Sequence, residues 1–203
     1  MSRTITKLFD NYSDAASAVK SLEQLGVPHS DVSIVANNAH GDHDGVGDVN
    51  DHGDVSRGVS TGAALGGVGG LLAGLGLLAI PGLGPIVAAG WLASTVVGAG
   101  IGAAGGAATG GIVGALKNAG HSDDEANVYA EGVRRGGTLV SAKVDDALAP
   151  DAEAMLNGHN PVDAAARGSA YRQEGWAAFD ADAPAYERDQ VDAERSRYTT
   201  SVL

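Results

Sequence analysis

The residues of this chain that could do chemistry gather between Asn37 and Ser56. There Asp42-His43-Asp44-Gly45-Val46-Gly47-Asp48 sets oxygen ligands at alternating positions, a spacing that calcium loops also use. The pattern is incomplete, because Val46 stands where a further acidic ligand is needed and Gly53 where a closing glutamate belongs. His40, His43 and His52 could hold a transition metal only loosely among these carboxylates. No metal site is assigned, and residues 37–57 are expected to be a solvated acidic linker that lets the following segment move. With no cysteine there is no thiolate nucleophile, disulfide or Cys-ligated zinc. Glycines cradle phosphate when a loop follows a strand and opens a helix. Here they sit inside two uncharged runs, with no Gly-Lys-Ser/Thr after them, and Gly98-Ala99-Gly100-Ile101-Gly102 is half a dinucleotide fingerprint by composition alone. His29, His121 and His159 each fall at an expected turn. The expectation is a protein without catalytic residues or cofactor, not an enzyme, and without an identified small-molecule substrate.

The net charge of −12 leaves no basic surface for phosphate, which argues against nucleic acid and weakens electrostatic attraction to anionic lipid. Met1 to Asp10 has no basic and apolar run of signal-peptide type, so a cytoplasmic origin is the default.

What must position these residues is organised around Gly58 to Leu116, which lies between Arg57 and Lys117 and holds 19 of the 31 glycines and no charge. Glycine recurs every fourth residue at Gly62, Gly66, Gly70 and Gly74, and again at Gly98, Gly102, Gly106, Gly110 and Gly114. A four-residue period keeps small residues on one helical face. In water each glycine costs a helix about 1 kcal/mol, whereas small-xxx-small faces let two backbones approach in lipid or in a buried core. The spacing predicts helices over Val59 to Ile80 and Ile86 to Leu116, turning at Pro81, Gly82, Gly84 and Pro85. They would pack through the glycine faces within the chain and between copies. A lipid bilayer suits such a hairpin, and a glycine-rich core shared in a soluble oligomer is the alternative.

Around this insert the chain reads as α+β. Thr4 to Phe9 predicts a strand. Ser13 as cap and Ala15, Ala18, Val19, Leu22 and Leu25 predict a helix stopped at Gly26, and Val32, Ile34 and Ala36 share one face of a second strand with Val35 on the other. After the insert, Ser122 caps a helix running to Arg135, Thr138 to Val144 predicts a third strand, Asp151 to Leu156 a short helix, and Pro161 to Ala165 a brief last strand. Two βαβ units in one sheet give a ferredoxin-like sandwich. The divisions are 1–36 and 118–165 for its halves, 37–57 for the linker, 58–117 for the Gly/Ala-rich antiparallel helical hairpin, and 166–203 for a charged tail. That tail holds Tyr171, Trp176, Phe179 and Tyr186, which either dock on a groove or neighbouring subunit or supply core to the chain's own sheet.

The stretch Glu125-Ala126-Asn127-Val128-Tyr129-Ala130-Glu131-Gly132-Val133-Arg134-Arg135-Gly136-Gly137-Thr138-Leu139-Val140, after a βαβ unit and a glycine-zipper insert, resembles the general stress protein 17M and low-temperature-induced family of bacteria over residues 4 to 165. The resemblance implies stress-linked expression and membrane association, and supplies no catalytic residue. The expected function is a non-enzymatic stress-associated scaffold or bilayer-remodelling protein. It would be a homo-oligomer anchored by its hairpin at the cytoplasmic face of the inner membrane, with a soluble structural oligomer as alternative and a pore as a lesser one.

Overall fold

The computed structural model describes residues 2–41, 75–95 and 111–199. Strand β1 (Ser2–Phe9) leads to helix α1 (Tyr12–Gln24), a single 3-10 turn and strand β2 (Val32–Asn37). A hairpin of β3 (Gly76–Ile80) and β4 (Gly84–Gly90) follows, then α2 (Gly111–Asn118), α3 (Asp123–Arg134), β5 (Thr138–Asp145), α4 (Ala149–Asn157), α5 (Ala164–Gln173) and α6 (Arg188–Thr199). The strands form one antiparallel sheet in the order β1-β5-β2-β4-β3. The fold is therefore α+β.

Because β5 runs antiparallel between them, β1 and β2 are parallel, with α1 crossing over. The expected strand at Pro161 to Ala165 shrinks to one bridge on the outer side of β1, where the Val162 N–H donates to the Leu8 carbonyl at 2.7 Å.

Alternation along the strands separates two cores. Ile5, Phe9, Val32, Ile34, Ala36, Val140 and Ala142 pack with Ala15, Ala18, Val19 and Leu22 of α1 and Ala152 and Leu156 of α4. Leu8, Val35, Ile86, Ala88 and Leu139 turn to the other side, against Ile112, Ala115 and Leu116 of α2 and Ala126, Tyr129, Ala130 and Val133 of α3. The opposite orientations of Ile34 and Val35 follow the period-2 pattern read from the sequence. α1 begins at Tyr12 with Asn11 at its N-cap, two residues before the expected Ser13 cap.

The expected helical pair is corrected on either side of its turn, while residues 91–95 and 111–116 of the expected second helix are helical. Residues 76–80 and 84–90 are strands, and Leu83 donates to the Ile80 carbonyl at 3.0 Å across the turn. The reason is visible in the spacing: the four-residue glycine repeat lapses between Gly74 and Gly98, leaving Leu77, Leu78, Ile80, Ile86 and Val87 in runs a strand accepts. β2 also demands it. All six of its residues are buried, and it needs a second neighbour beyond β5 to satisfy its backbone. Residues 58–74 and 96–110 of that expectation, and most of the acidic linker, lie outside the described residues.

Candidate functional site

The stretch from Glu125 to Val140 forms α3, a tight turn and β5, and the charged cluster of the molecule is built on it. Ser122 caps α3 in a capping box: its hydroxyl accepts from the Glu125 N–H at 3.3 Å while the Glu125 carboxylate accepts from the Ser122 N–H at 3.1 Å. Tyr129, one turn on, donates its buried hydroxyl to the Thr6 carbonyl at 3.1 Å, and burial followed by the nearby Glu125 pushes its pKa up to about 12. Gly132 lets α3 rest on the sheet, since a Cβ there would stand 2.4 Å from Leu8 Cδ2. Gly136 ends the turn with a φ of +105°, and a side chain there would strike Val191 of α6 at 2.4 Å.

Arg135, in the turn after α3, is the centre of the cluster and only 6% exposed. Its Nε donates to Glu131 at 2.8 Å, and its Nη1 donates to Glu174 at 2.8 Å and to Glu194 at 3.3 Å. Its guanidinium carbon lies 4.0 Å from the centre of the Tyr171 ring. Burial works against its charge, but the hydrogen bonds to Glu131 and Glu174 outweigh it and hold the pKa above the ordinary arginine value. Beside it Arg167 makes two parallel bonds to Asp10, at 2.9 and 2.8 Å, and stacks 3.5 Å from the centre of Tyr198. Arg197 joins Glu174 and Glu194, and Arg134 lies 5.0 Å from the Tyr186 ring centre. The gap between these groups is about 10 Å³, barely one water. A hollow of about 250 Å³ opens next to it between Asp10, Asn160, Asp163, Arg167 and Tyr198.

A second polar group sits on the same side of the sheet. Thr6 Oγ1 lies 2.7 Å from His121 Nε2 and 2.8 Å from Ser141 Oγ, and the His121 ring meets Tyr129 edge to face. Burial lowers the His121 pKa, partly opposed by Glu125. A hydroxyl beside an imidazole is the beginning of a nucleophile and base. Thr6, however, is only 4% exposed, and its oxygen is engaged by both neighbours. What the arrangement can do is fix the turn before α3 to β1 and β5.

Of the residues singled out in the sequence, Gly114 lies half-buried in α2, and Gly62, Gly66, Gly70, Gly74, Gly98, Gly102, Gly106 and Gly110 are outside the described residues. Pro81, Gly82, Gly84 and Pro85 surround the β3–β4 turn, and Gly82 and Gly84 lie against Ala181 and Ala185 of the tail. The tail aromatics meet the chain's own module: Tyr171 is fully buried, Phe179 packs on the α3-side core and its N–H donates to Asn127 at 3.0 Å, and Trp176 stands edge-on to Tyr171. The tail also carries most of α5 and all of α6, helices that the sequence reading did not expect. Among the described residues no group of three or more His, Asp or Glu could hold a metal ion, and His40 instead meets Asp192 at 2.9 Å. Among them, too, no helix is long and apolar enough to cross a membrane.

The reading of residue types missed Asp10, Glu131, Arg135, Arg167, Glu174 and Glu194. One signal was present, since Glu131 and Arg135 stand at i, i+4 on a helix. Compared with protein-family models, curated proteins and solved structures, the chain finds no match.

Proposed function

We propose that this is a non-enzymatic, stress-associated scaffold in which an α+β module holds two glycine-repeat segments together so that they associate with those of other copies, at the cytoplasmic face of the membrane. The observation that supports it is the β3–β4 register. Gly76 pairs with Ala88, so residues 75 and 91, by which 58–74 and 96–110 join the sheet, leave from the same end of the hairpin. With 76–80 in the sheet, the uncharged run before it would reach about 27 Å as a helix, under the roughly 30 Å of a hydrocarbon core. That length favours packing of the repeats on one another at the interface over independent spans. The fold belongs to the same proposal: β1, β5, β2 and the Val162 bridge take the strand order of a ferredoxin-like sandwich, α1 and α4 supply its helical layer, and β3–β4 extends it.

The test combines fractionation with crosslinking. The parent is expected in the membrane fraction before an alkaline carbonate wash, with a ladder of crosslinked oligomers. The Gly106→Leu, Gly110→Leu variant should lose the ladder while its circular dichroism is kept, because leucine favours helix but holds backbones apart. An unchanged ladder defeats the reading. A ladder that depends on these glycines in a protein found wholly in the supernatant replaces the membrane with a soluble assembly.

A further inference from the structure

Among the described side chains of α6 the buried ones are Val191 and Glu194. A helix of 12 residues is marginal in water on its own, and one buried valine offsets little of the entropy lost in ordering it. Polar partners supply the rest of its hold. Arg135 donates to Glu194 at 3.3 Å and, at the far end of the preceding loop, to Glu174 at 2.8 Å, while Arg195 donates to the Gly136 carbonyl at 2.9 Å. A helix that cannot stand without its dock leaves the surface and unfolds in one step, which sets it at the low-stability end of the molecule. Two other parts of the module are held from this segment. Arg188 Nε donates to the Ala39 carbonyl at 3.0 Å and His40 Nε2 lies 2.9 Å from Asp192 Oδ1, so α6 grips the start of the acidic segment. At the β3–β4 turn Gly82 and Gly84 have φ of +75° and +78°, and a Cβ on them would stand 2.8 Å from Ala181 Cα and 2.7 Å from Ala185 Cβ. The loop before α6 therefore lies directly on that turn.

We propose that residues 174–199 are a detachable strap whose docking fastens the start of the acidic segment and the β3–β4 turn to the α3 side of the module, and whose release by ionic strength loosens both together. Salt reaches it through the exposed pairs, where Arg197 joins Glu174 and Glu194 and Arg172 joins Asp124. The links of Arg135 are buried and screened less, so they keep the strap docked at low salt. The two fastened places are themselves connected, because the Asn38 N–H donates to the Pro85 carbonyl of β4 at 2.9 Å. Loosening one therefore removes support from the other. Every contact involved lies within the module, so the strap operates whether or not the glycine segments associate.

Amide hydrogen exchange on the full chain tests this at three places: α6, the amides of Ala39 and Gly41, which donate to Asn37 Oδ1 and to the Asn38 carbonyl, and the amide of Leu83 at the turn. Val191→Asp sets a charge in the buried site against Gly136 and should speed exchange about tenfold or more at all three. Val140, paired on both sides in the middle of the sheet, should keep the parent rate. Raising salt should speed the same three places in the parent by about two- to fivefold. Arg188→Ala with Asp192→Ala cuts the two links to the acidic segment and should speed Ala39 and Gly41 without speeding Leu83. Faster exchange of α6 with Ala39 and Gly41, or Leu83, at the parent rate overturns the proposal, whether it is reached by Val191→Asp or by salt. Parent rates at Ala39 and Gly41 in the double variant overturn it as well. If Val191→Asp also speeds Val140, the whole module has opened, and the salt series and the double variant decide by the same criteria.

Discussion

On one side of the sheet, α1 and α4 lay Ala15, Ala18, Val19, Leu22, Ala152 and Leu156 on Ile5, Phe9, Ile34 and Val140. On the other, α3, α5 and α6 meet over Glu131, Arg135, Arg167 and Glu194, which are the buried charged residues among those described. The first layer is held by apolar burial, where no contact has an obligatory partner and loss scales with the volume removed. The second is held by partners that need one another, because a charge taken out of water is tolerated only while its counter-charges remain. The difference separates the body of the module, which should be indifferent to salt, from its tail, which should not.

The largest effect expected is in the apolar layer. Phe9→Ala empties a fully buried ring site and should cost about 3–5 kcal/mol in chemical denaturation, with the same deficit at low and high salt. A deficit that varies with salt would erase the distinction between the two sides.

Next in size is Arg135→Met, which takes from Glu131 and Glu194, 1% and 5% exposed, their buried counter-ion and leaves them only the more exposed Arg134 and Arg197. Stability should fall by about 3 kcal/mol, with protease cleavage appearing first in α5 and α6. Adding Glu131→Gln and Glu194→Gln should restore most of the loss, because no buried carboxylate is then left that had Arg135 as its partner. Failure of the triple variant to recover would mean that Arg135 acts by packing its stem and not by charge. A smaller effect belongs to the exposed pairs Arg172–Asp124 and Arg197–Glu174. Raising salt should weaken tail docking by about 0–1 kcal/mol for each pair, read as faster proteolysis between 164 and 199.

The two sides were also unequally legible in the sequence. The apolar layer follows from periodicity alone: Ala15, Ala18, Val19 and Leu22 recur on one helical face, and Ile34 and Val35 alternate. Ser122 announced its helix by the capping pattern. The charged side depends on Asp10, Arg135, Arg167 and Glu194, which come together across up to 184 positions of sequence, and no local period reports such a meeting. The β3–β4 hairpin was misread for a related reason. A glycine repeat on both sides of Pro81 to Pro85 suggested that one structure continued through it, while the demand of β2 for a second neighbour is a tertiary requirement that overrides local pattern.

The smallest effect concerns pH, and it is expected from two groups on the α3 side. Glu125 has its pKa lowered from 4.5, first by the Ser122 hydroxyl, and His121 has its pKa lowered from 6.5 by burial. In both cases the folded value lies below the unfolded one, so between the two values the unfolded chain holds more protons and stability falls as pH falls. The loss begins near pH 6.5 for His121 and near 4.5 for Glu125, and above 6.5 neither contributes a slope. Replacing His121 by glutamine should therefore flatten the decline of melting temperature just below pH 6.5, and leave the later step near 4.5 in place. Ser122→Ala should cost about 1 kcal/mol at pH 7 through the lost cap. Its deficit should shrink below pH 4.5, where the parent's Glu125 becomes protonated and its half of the capping box is lost. Phe9→Ala, on the opposite side, should show one deficit throughout this range. If its deficit tracks pH as Ser122→Ala does, the titrating groups are coupled through the sheet and the two layers do not unfold by separate physics.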